Sequence, residues 1–492
     1  MASEESALVS ALEIYGLFGS KYLHVDLTGE TEAGSNGRRL SLLYGNNGSG
    51  KTTALRLLWH ALSPSEAGGH RSAIAKTPFR KFIISLCNGD VINFVKTDGL
   101  VGNFTVTVTS SDKRVVEQFY RVSQDGNKVL PFSPPAPVSA HLVQQKPLFE
   151  LDVDPSAEPM KRLWEQVDEN VLRETLEIAM LSSSRERHSR TDNFVRYLAK
   201  LGAGPYMLAD DRRIYGDDIE RKGPHRTRRQ VELEESREPS SSVAAELFIA
   251  LQRAYEMIQQ MVISGNVSGS RGSNNVYLGI LEKISQSDDS DVDATTRQEL
   301  AEKLKQIASK TAEFSKYGLV PKLREDLFLE VLGRTPEAKL GVADDVLQPF
   351  LEAQEARLDA LSGVAGLLAT ITQEVNRFLS NSGKRFRYKA QSGIAVISED
   401  GDVLDPDKLS SGERQILLLL LNTVLARQNT RLFLIDEPEL SLNVRWQRQL
   451  MDALLSLTEG TPVQFIVATH SIEVITGHRD SLTRVTPKAS DD

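Results

Sequence analysis

The sequence predicts an α/β protein with a parallel sheet, an antiparallel β lobe near its start and a largely helical segment in the middle. Three observations predict it. A glycine-rich turn at Gly45–Gly50 lies between a strand-like and a helix-like stretch. Strand-like and helix-like segments alternate after Ser380, which implies parallel strands with helices on the faces of the sheet. Between about Pro159 and Ser380 the apolar residues are spaced for helices.

Along the chain, Leu12–Leu27 reads as strands and Arg39–Tyr44 as a short strand that runs into the glycine turn. Thr53–Leu62 has helical character. Phe82–Cys87 and Val91–Val95 flank Asn88-Gly89, a strong hairpin signal. Phe104, Val106 and Val108 alternate with threonines, so Asn103–Ser110 is expected as a half-buried strand. Met160–Leu201 is expected to be mostly helical, and Tyr206–Ala209 a short strand. The charged stretch Arg212–Pro239 reads as a solvated loop, Ala244–Ile263 as a helix and Ser264–Asn275 as a flexible loop. Leu300, Leu304, Ile307, Thr311 and Phe314 form one seam, and Leu351, Leu358, Leu361, Ala365, Leu368, Thr372, Val375 and Leu379 another, with Thr372 its weak point. Their spacing predicts a short antiparallel helical pair only a few heptads long. Arg385–Lys389 and Ile394–Ser398 are expected strands. Then follow a helix (Gly412–Arg427), a strand (Leu432–Ile435), a helix (Val444–Thr458) and a strand (Gln464–Ala468).

Composition sets limits on function. A net charge of −9 argues against a surface coated for nucleic acid, though not against a local basic groove. The single cysteine, Cys87, excludes a disulfide framework and fits a reducing cytoplasm. Met1–Gly16 does not read as a secretory signal. The longest purely apolar run, Ile416–Leu421, is far short of the ~20 residues of a membrane span.

Four segments carry chemistry. Gly45-Asn46-Asn47-Gly48-Ser49-Gly50-Lys51-Thr52 matches the P-loop pattern, with a strand before it and a helix after it. Its glycines let backbone N–H groups curl around phosphate oxygens. Lys51 reaches the β- and γ-phosphates, the Thr52 hydroxyl is a Mg2+ ligand, and Thr53 is a further nucleotide contact. Leu432–Ile435 is a buried strand ending in Asp436 and Glu437. Asp436 is the expected Mg2+ partner, and Glu437 the carboxylate that polarises an attacking water. Leu409-Ser410-Ser411-Gly412-Glu413-Arg414-Gln415 opens a helix whose Ser410, Ser411 and Gly412 can present donors to a phosphate. Ala468-Thr469-His470-Ser471 follows the last apolar strand.

With Glu439-Leu440-Ser441-Leu442-Asn443 placed where a dimer-contact loop belongs, these segments together resemble ATP-binding-cassette (ABC) ATPases. The resemblance covers about Leu12–Val108 and Arg385–Val474. It implies a P-loop NTPase of ABC type that binds and hydrolyses ATP with Mg2+. Residues 1–155 and 381–492 would be the two halves of its core, split by the helical insert 156–380. Lys51, Glu437 and His470 would be catalytic, with His470 on the γ-phosphate. The phosphate facing Ser410 would belong to a second subunit, which implies a head-to-tail homodimer and leaves a higher oligomer open. Within the superfamily, Asp436–Leu442 and Ala468–Ser471 resemble the branch of the RecF, structural-maintenance-of-chromosomes and overcoming-lysogenization-defect ATPases. That branch includes stand-alone ATPases of bacterial antiphage systems of the PARIS and Septu type. Position 443 departs from it, with asparagine in place of the usual histidine.

The resemblance implies a cytoplasmic antiphage sensor or scaffold holding a separate effector protein, a nuclease. The alternative is a RecF-like repair ATPase with DNA as partner. No Cys-x-x-Cys hook is present, and the 22 residues after His470 in a chain of 492 are too few for a topoisomerase-primase nuclease domain. Gln144, Gln145 and Asp210–Arg213 are candidates for the glutamine loop. The acidic run Asp288, Asp289, Asp291 and Asp293 reads as a solvated loop.

Overall fold

The computed structural model describes residues 7–28, 38–66, 68–111, 113–123, 126, 128–132, 192–209, 214–216, 242–286, 297–336, 340–485 and 488–489. Gln144, Gln145, Asp210–Arg213, the run Asp288–Asp293, the helix expected before residue 192 and most of the charged stretch before Pro239 lie outside them.

In chain order the strands β1 (Val9–Leu17), β2 (Lys21–Asp26) and β3 (Leu40–Tyr44) precede helices α1 (Lys51–Leu62) and α2 (His70–Lys76). Strands β4 (Lys81–Leu86), β5 (Asp90–Lys96), β6 (Phe104–Ser110), β7 (Lys113–Val122) and β8 (Val129–Phe132) follow, then helix α3 (Asn193–Leu201) and strands β9 (Tyr206–Leu208) and β10 (Ile214–Tyr215). The middle of the chain forms α4 (Ser242–Gln286), α5 (Arg297–Lys316), α6 (Glu325–Arg334) and α7 (Leu340–Leu379). The last part comprises β11 (Arg385–Lys389), β12 (Gly393–Ile397), β13 (Val403–Leu404), α8 (Ser411–Asn429), β14 (Leu432–Asp436), α9 (Val444–Leu457), β15 (Gln464–Thr469), α10 (Ile472–Ile475), β16 (Leu482–Arg484) and β17 (Lys488–Ala489).

These elements separate into two compact units. One comprises Met1–Ser10, Val25–Trp59 and Gly204–Thr486, the other Ala11–His24, His60–Ala203 and Pro487–Asp492.

The larger unit holds a six-stranded sheet in the order β10-β9-β14-β15-β3-β16. From β9 to β16 the strands are parallel, and β10 is antiparallel to β9. Every residue of β14 and β15 is buried. That is why both read as unbroken apolar runs rather than alternating ones: helices cover both faces of a parallel sheet. The Gln464 side chain, buried at the start of β15, accepts from the amides of Leu8 and Val9 and donates to the carbonyls of Val9 and Arg38, so its amide is satisfied at both ends. The apolar run Ile416–Leu421 is buried within α8, in one core with α4, α7, α9 and the sheet. Among the described residues no helix is long and apolar enough to cross a membrane.

The helical part differs from expectation in three ways. First, Ser264–Asn275 is not a loop, because α4 runs through it for 45 residues. A Cβ on Gly265 would lie 2.7 Å from Leu361 Cδ2 and 3.0 Å from the Ala360 carbonyl oxygen. The glycine that signals a break in sequence is thus where two helices pack closest. Second, α5 and α7 do share the seam of Leu300, Leu304, Ile307, Leu351, Leu358 and Leu361, but they run parallel. Lys303 pairs with Gln348 and, seven residues on in both helices, Lys310 with Glu355. The intervening α6 and its flanking turns return the chain. The antiparallel partner of α7 is α4: Asn266 meets Arg357, whereas Tyr255 and Gln259 reach Ala390, past the end of α7. Third, α4 and α7 are longer than a few heptads, about 65 and 60 Å at the helical rise per residue.

The smaller unit holds an eight-stranded sheet in the order β17-β2-β1-β4-β5-β6-β7-β8, antiparallel from β4 to β8. Asn88-Gly89 makes the expected hairpin turn, with Gly89 at φ 87°. One face of the sheet packs the rings of Phe82, Phe94, Phe104 and Tyr120 against Phe194 of α3. Asp192 caps α3 at Phe194 N and Val195 N and also accepts from the Tyr120 hydroxyl.

Candidate functional site

Strands β3, β14 and β15 carry their C-terminal ends to one edge of the parallel sheet. The register pairs Asp436 with Ala468 and Thr469 with Tyr44. Gly45, Glu437 and His470, each the residue directly after its strand, therefore leave the sheet side by side. This is the edge at which open α/β sheets take their ligands.

After β3 the chain turns through Gly48 and Gly50, both left-handed at φ 73° and 99°. Gly45 is required for space: a Cβ there would sit 2.6 Å from the Val485 carbonyl oxygen. Ser49 N donates to Asn46 O and Ala54 N to Gly50 O, which carries the loop into α1. Asn46, Asn47 and Gly48 are exposed, Ser49 and Gly50 buried, and Thr52 and Thr53 half-buried. No acidic residue of α1 itself occupies its first turn; the nearest carboxylate there is that of Asp436, from β14.

Lys51 is 5% exposed. Its Nζ donates to Gly45 O (2.8 Å) and Asn46 O (3.2 Å) and lies 2.9 Å from His470 Nε2. Burial pushes the Lys51 pKa below the usual lysine value, although the carboxylates of Glu437, Asp436 and Glu439 act to raise it. With Lys51 charged, Nε2 of His470 is the acceptor and the ring proton sits on Nδ1. The same Nε2 lies 3.8 Å from Glu437 Oε1, so the imidazole stands between the lysine and that carboxylate. Glu437 is itself left-handed at φ 49°, fixed by its amide donating to Ala468 O at 2.8 Å. Asp436 is 2% exposed and accepts from the Thr52 hydroxyl at 3.1 Å.

The structure thus brings Lys51, Thr52, Asp436, Glu437 and His470 to one sheet edge: Lys51 pairs with His470, Thr52 with Asp436, and Glu437 stands 3.8 Å from the imidazole. Among the described residues no group of three or more His, Cys, Asp or Glu is placed to hold a metal by itself. Thr52 and Asp436 instead offer two hard oxygens. That donor set suits Mg2+ when phosphates and water complete its shell. A buried ammonium, a hydroxyl–carboxylate pair, a carboxylate beside an imidazole and an open helix end can together receive a polyphosphate.

Ser410, Ser411 and Gly412 form a second group, at the start of α8. Ser410 Oγ accepts from Glu413 N (3.3 Å), and Glu413 Oε2 accepts from Ser410 N (2.7 Å) and from Lys384 Nζ (2.6 Å). This is a complete capping box with an ion pair behind it. Ser410 and Ser411 are both exposed. A Cβ on Gly412 would lie 2.8 Å from Ser441 O and 3.3 Å from Trp446 Cζ3, so that glycine lets α8 abut the loop after β14. In that loop Asn443, in place of the histidine of the resembled branch, caps α9 by accepting from Trp446 N at 2.9 Å.

Sequence reasoning placed Glu439 only within the dimer-contact loop. Its Oε1 accepts from Thr469 Oγ1 (2.9 Å), His470 N (2.8 Å) and Ser471 N (3.1 Å). The available signal was a second acid just past a strand end; spacing alone does not say which donors it meets.

A family model described as an AAA domain, putative AbiEii toxin of a type IV TA system, matches residues 287–476. No curated protein matches the chain. Among solved structures, the chain is similar to the Smc head domain with an extended coiled coil bound to the C-terminal domain of ScpA, from Pyrococcus furiosus. The two are 11% identical at a TM-score of 0.34, over 98% of this chain and 96% of the other. An SmcHead bound to the C-winged helix domain of ScpA is 10% identical at a TM-score of 0.33, over 98% of each chain.

Proposed function

We propose that this chain binds Mg-ATP at the P-loop cluster and hydrolyses it to ADP and phosphate, closing head to tail with a second copy. The observation that carries this is the convergence of Lys51, Thr52, Asp436, Glu437 and His470 at one sheet edge, beside a helix end left open for an anion. The match of residues 287–476 to an AAA-domain model is in keeping with it.

In this reading the amides of Gly45–Lys51, with Asn46, Asn47 and Ser49, cradle the phosphates, and Thr53 contacts the nucleotide from the first turn of α1. Lys51 turns its ammonium from the carbonyls of Gly45 and Asn46 to the β- and γ-oxygens. Thr52 and Asp436 hold Mg2+, which when bound neutralises charge on those oxygens. Glu437 accepts a hydrogen bond from the attacking water and aligns it with the γ-phosphorus. His470 steadies the γ-phosphate. Ser410, Ser411 and Gly412 complete the site of the partner subunit. Residues 1–155 and 381–492 act as the two parts of the ATPase core and 156–380 as its insert.

The finer reading is a cytoplasmic sensor or scaffold in antiphage defence, related to PARIS- or Septu-type ATPases, in which ATP governs the grip on a separate effector nuclease. The match to a family model described as a putative toxin of a type IV TA system is in keeping with a role beside a second protein. ATP-dependent capture of a neighbouring gene's product would favour the scaffold, and DNA-stimulated turnover the RecF-like repair alternative.

The core experiment uses three variants. Glu437→Gln should bind ATP as wild type does and turn over about a hundredfold or more slowly. Lys51→Ala and Ser410→Arg chains, each inactive alone, should regain activity when mixed, because each heterodimer restores one composite site. Undiminished turnover in Glu437→Gln would reject the base assignment. Inactive, verified heterodimers would reject the head-to-tail site.

A further inference from the structure

From the contacts of its carboxylate, we infer that Glu439 is a positioning residue for turnover: it clamps the backbone of the His470 segment and so sets where the imidazole stands. The inference rests on the ATPase reading above and adds a residue to which neither motif nor spacing gave a role.

The loop after β14 is tightly wound. Leu440 N donates to Glu437 O and Leu442 N to Glu439 O, and Glu437 and Ser441 are both left-handed without being glycine, at φ 49° and 67°. Such conformations persist only where surrounding contacts over-determine them. Those contacts lead to the His470 segment. One oxygen of Glu439 takes three donors: the Thr469 hydroxyl and the amides of His470 and Ser471. A carboxylate that accepts several donors binds them more strongly than a neutral acceptor does. Gln447 of α9 backs the arrangement, accepting from Ser471 Oγ at 2.6 Å and donating to Leu442 O at 2.8 Å. The clamp therefore fixes the main chain on both sides of the His470 Cα. From there the ring reaches Lys51 at 2.9 Å and faces Glu437 at 3.8 Å. The other carboxylate oxygen of Glu439 is buried with no hydrogen-bond partner among the described residues, so this side chain is not held by alternative contacts.

The consequence is a division of labour. Glu439 touches neither phosphate nor water in the proposed reaction; it acts through His470. Removing the carboxylate should lower kcat about tenfold and leave the affinity for a non-hydrolysable ATP analogue within about twofold of wild type. Glu439→Gln keeps an acceptor oxygen and should recover most of the rate lost in Glu439→Ala. In the double variant Glu439→Ala/His470→Ala the rate should equal that of His470→Ala alone, because the two act as one unit. Hydrogen exchange gives a readout independent of turnover. The amides of His470 and Ser471 should exchange about tenfold faster in Glu439→Ala, while amides in the interior of β14 and β3 keep their protection.

If the double variant is slower than His470→Ala by the full Glu439→Ala factor, Glu439 acts elsewhere and the inference is overturned. It is equally overturned if both amides keep their protection in Glu439→Ala. Absence of ATPase activity in the wild type would instead sink the ATPase reading, while the exchange measurement would still decide the clamp.

Discussion

Two helix N-termini meet the candidate chemistry in opposite ways. Helix α1 begins with Lys51, has no acid in its first turn and is preceded by Gly48 and Gly50 in left-handed conformations. Helix α8 begins with a closed device: Ser410 and Glu413 satisfy each other, and Lys384 neutralises Glu413 from behind. An anion arriving at α1 meets a buried ammonium, with the Asp436 carboxylate on the neighbouring Thr52 hydroxyl, whereas one arriving at α8 meets a carboxylate within the helix's own first turn. The difference teaches that, in the function proposed above, the first end would bring its own cation to an anion. The second is a closed cap whose exposed Ser410 and Ser411 would meet something presented from outside.

The sharpest way to break this comparison is Lys51→Ala. It removes the buried cation of the open end and should weaken ATP binding about a hundredfold, measured by titration calorimetry. Equal affinity would mean that α1 is not the anion site. Next is Gly412→Ala, which drives a methyl to 2.8 Å from Ser441 O. It should cost about 1–3 kcal/mol of stability by overpacking and slow turnover while leaving nucleotide affinity at α1 intact. A variant with wild-type melting and turnover would show that α8 tolerates displacement from the loop.

The smallest effect is expected from Lys384→Met, about 1–2 kcal/mol by denaturant unfolding at neutral pH, since it strips a buried carboxylate of one partner. Its pH dependence is a further test. Burial pushes the Glu413 carboxyl up, but the hydrogen bonds from Lys384 and Ser410 outweigh burial and hold it below the usual range. A depressed folded-state pKa contributes stability above the unfolded value and loses it as pH falls through the folded one. The gap between Lys384→Met and wild type should therefore narrow on acidification. A gap that widens would place the stabilisation elsewhere.

Much of this was legible in the sequence where local and global signals coincide. The runs Leu432–Ile435 of β14 and Phe465–Ala468 of β15 are apolar without alternation because both faces are covered, and the functional segments are short enough that strand and helix ends place them. The insert was harder. Gly265 looks like a break until Leu361 is seen filling the space that its side chain would take. The seams on α5 and α7 identify partners but not direction, because a heptad reads the same whichever way the neighbouring helix runs. The role of Glu439 depends on amides more than thirty residues away in sequence, which no spacing rule reaches.

The length of α7 has a mechanical consequence. Its last turn carries Phe378, whose ring meets Trp446 edge-on at 6.1 Å, and Trp446 is the side chain that borders Gly412. From that anchor back to Pro349 the helix extends about 45 Å. A rigid rod of that length is a lever. A tilt of about 5° at its base, a movement of tenths of an ångström around Trp446, sweeps the far end through about 4 Å. Because α4 and α5 pack along α7, such a tilt would have to carry them with it.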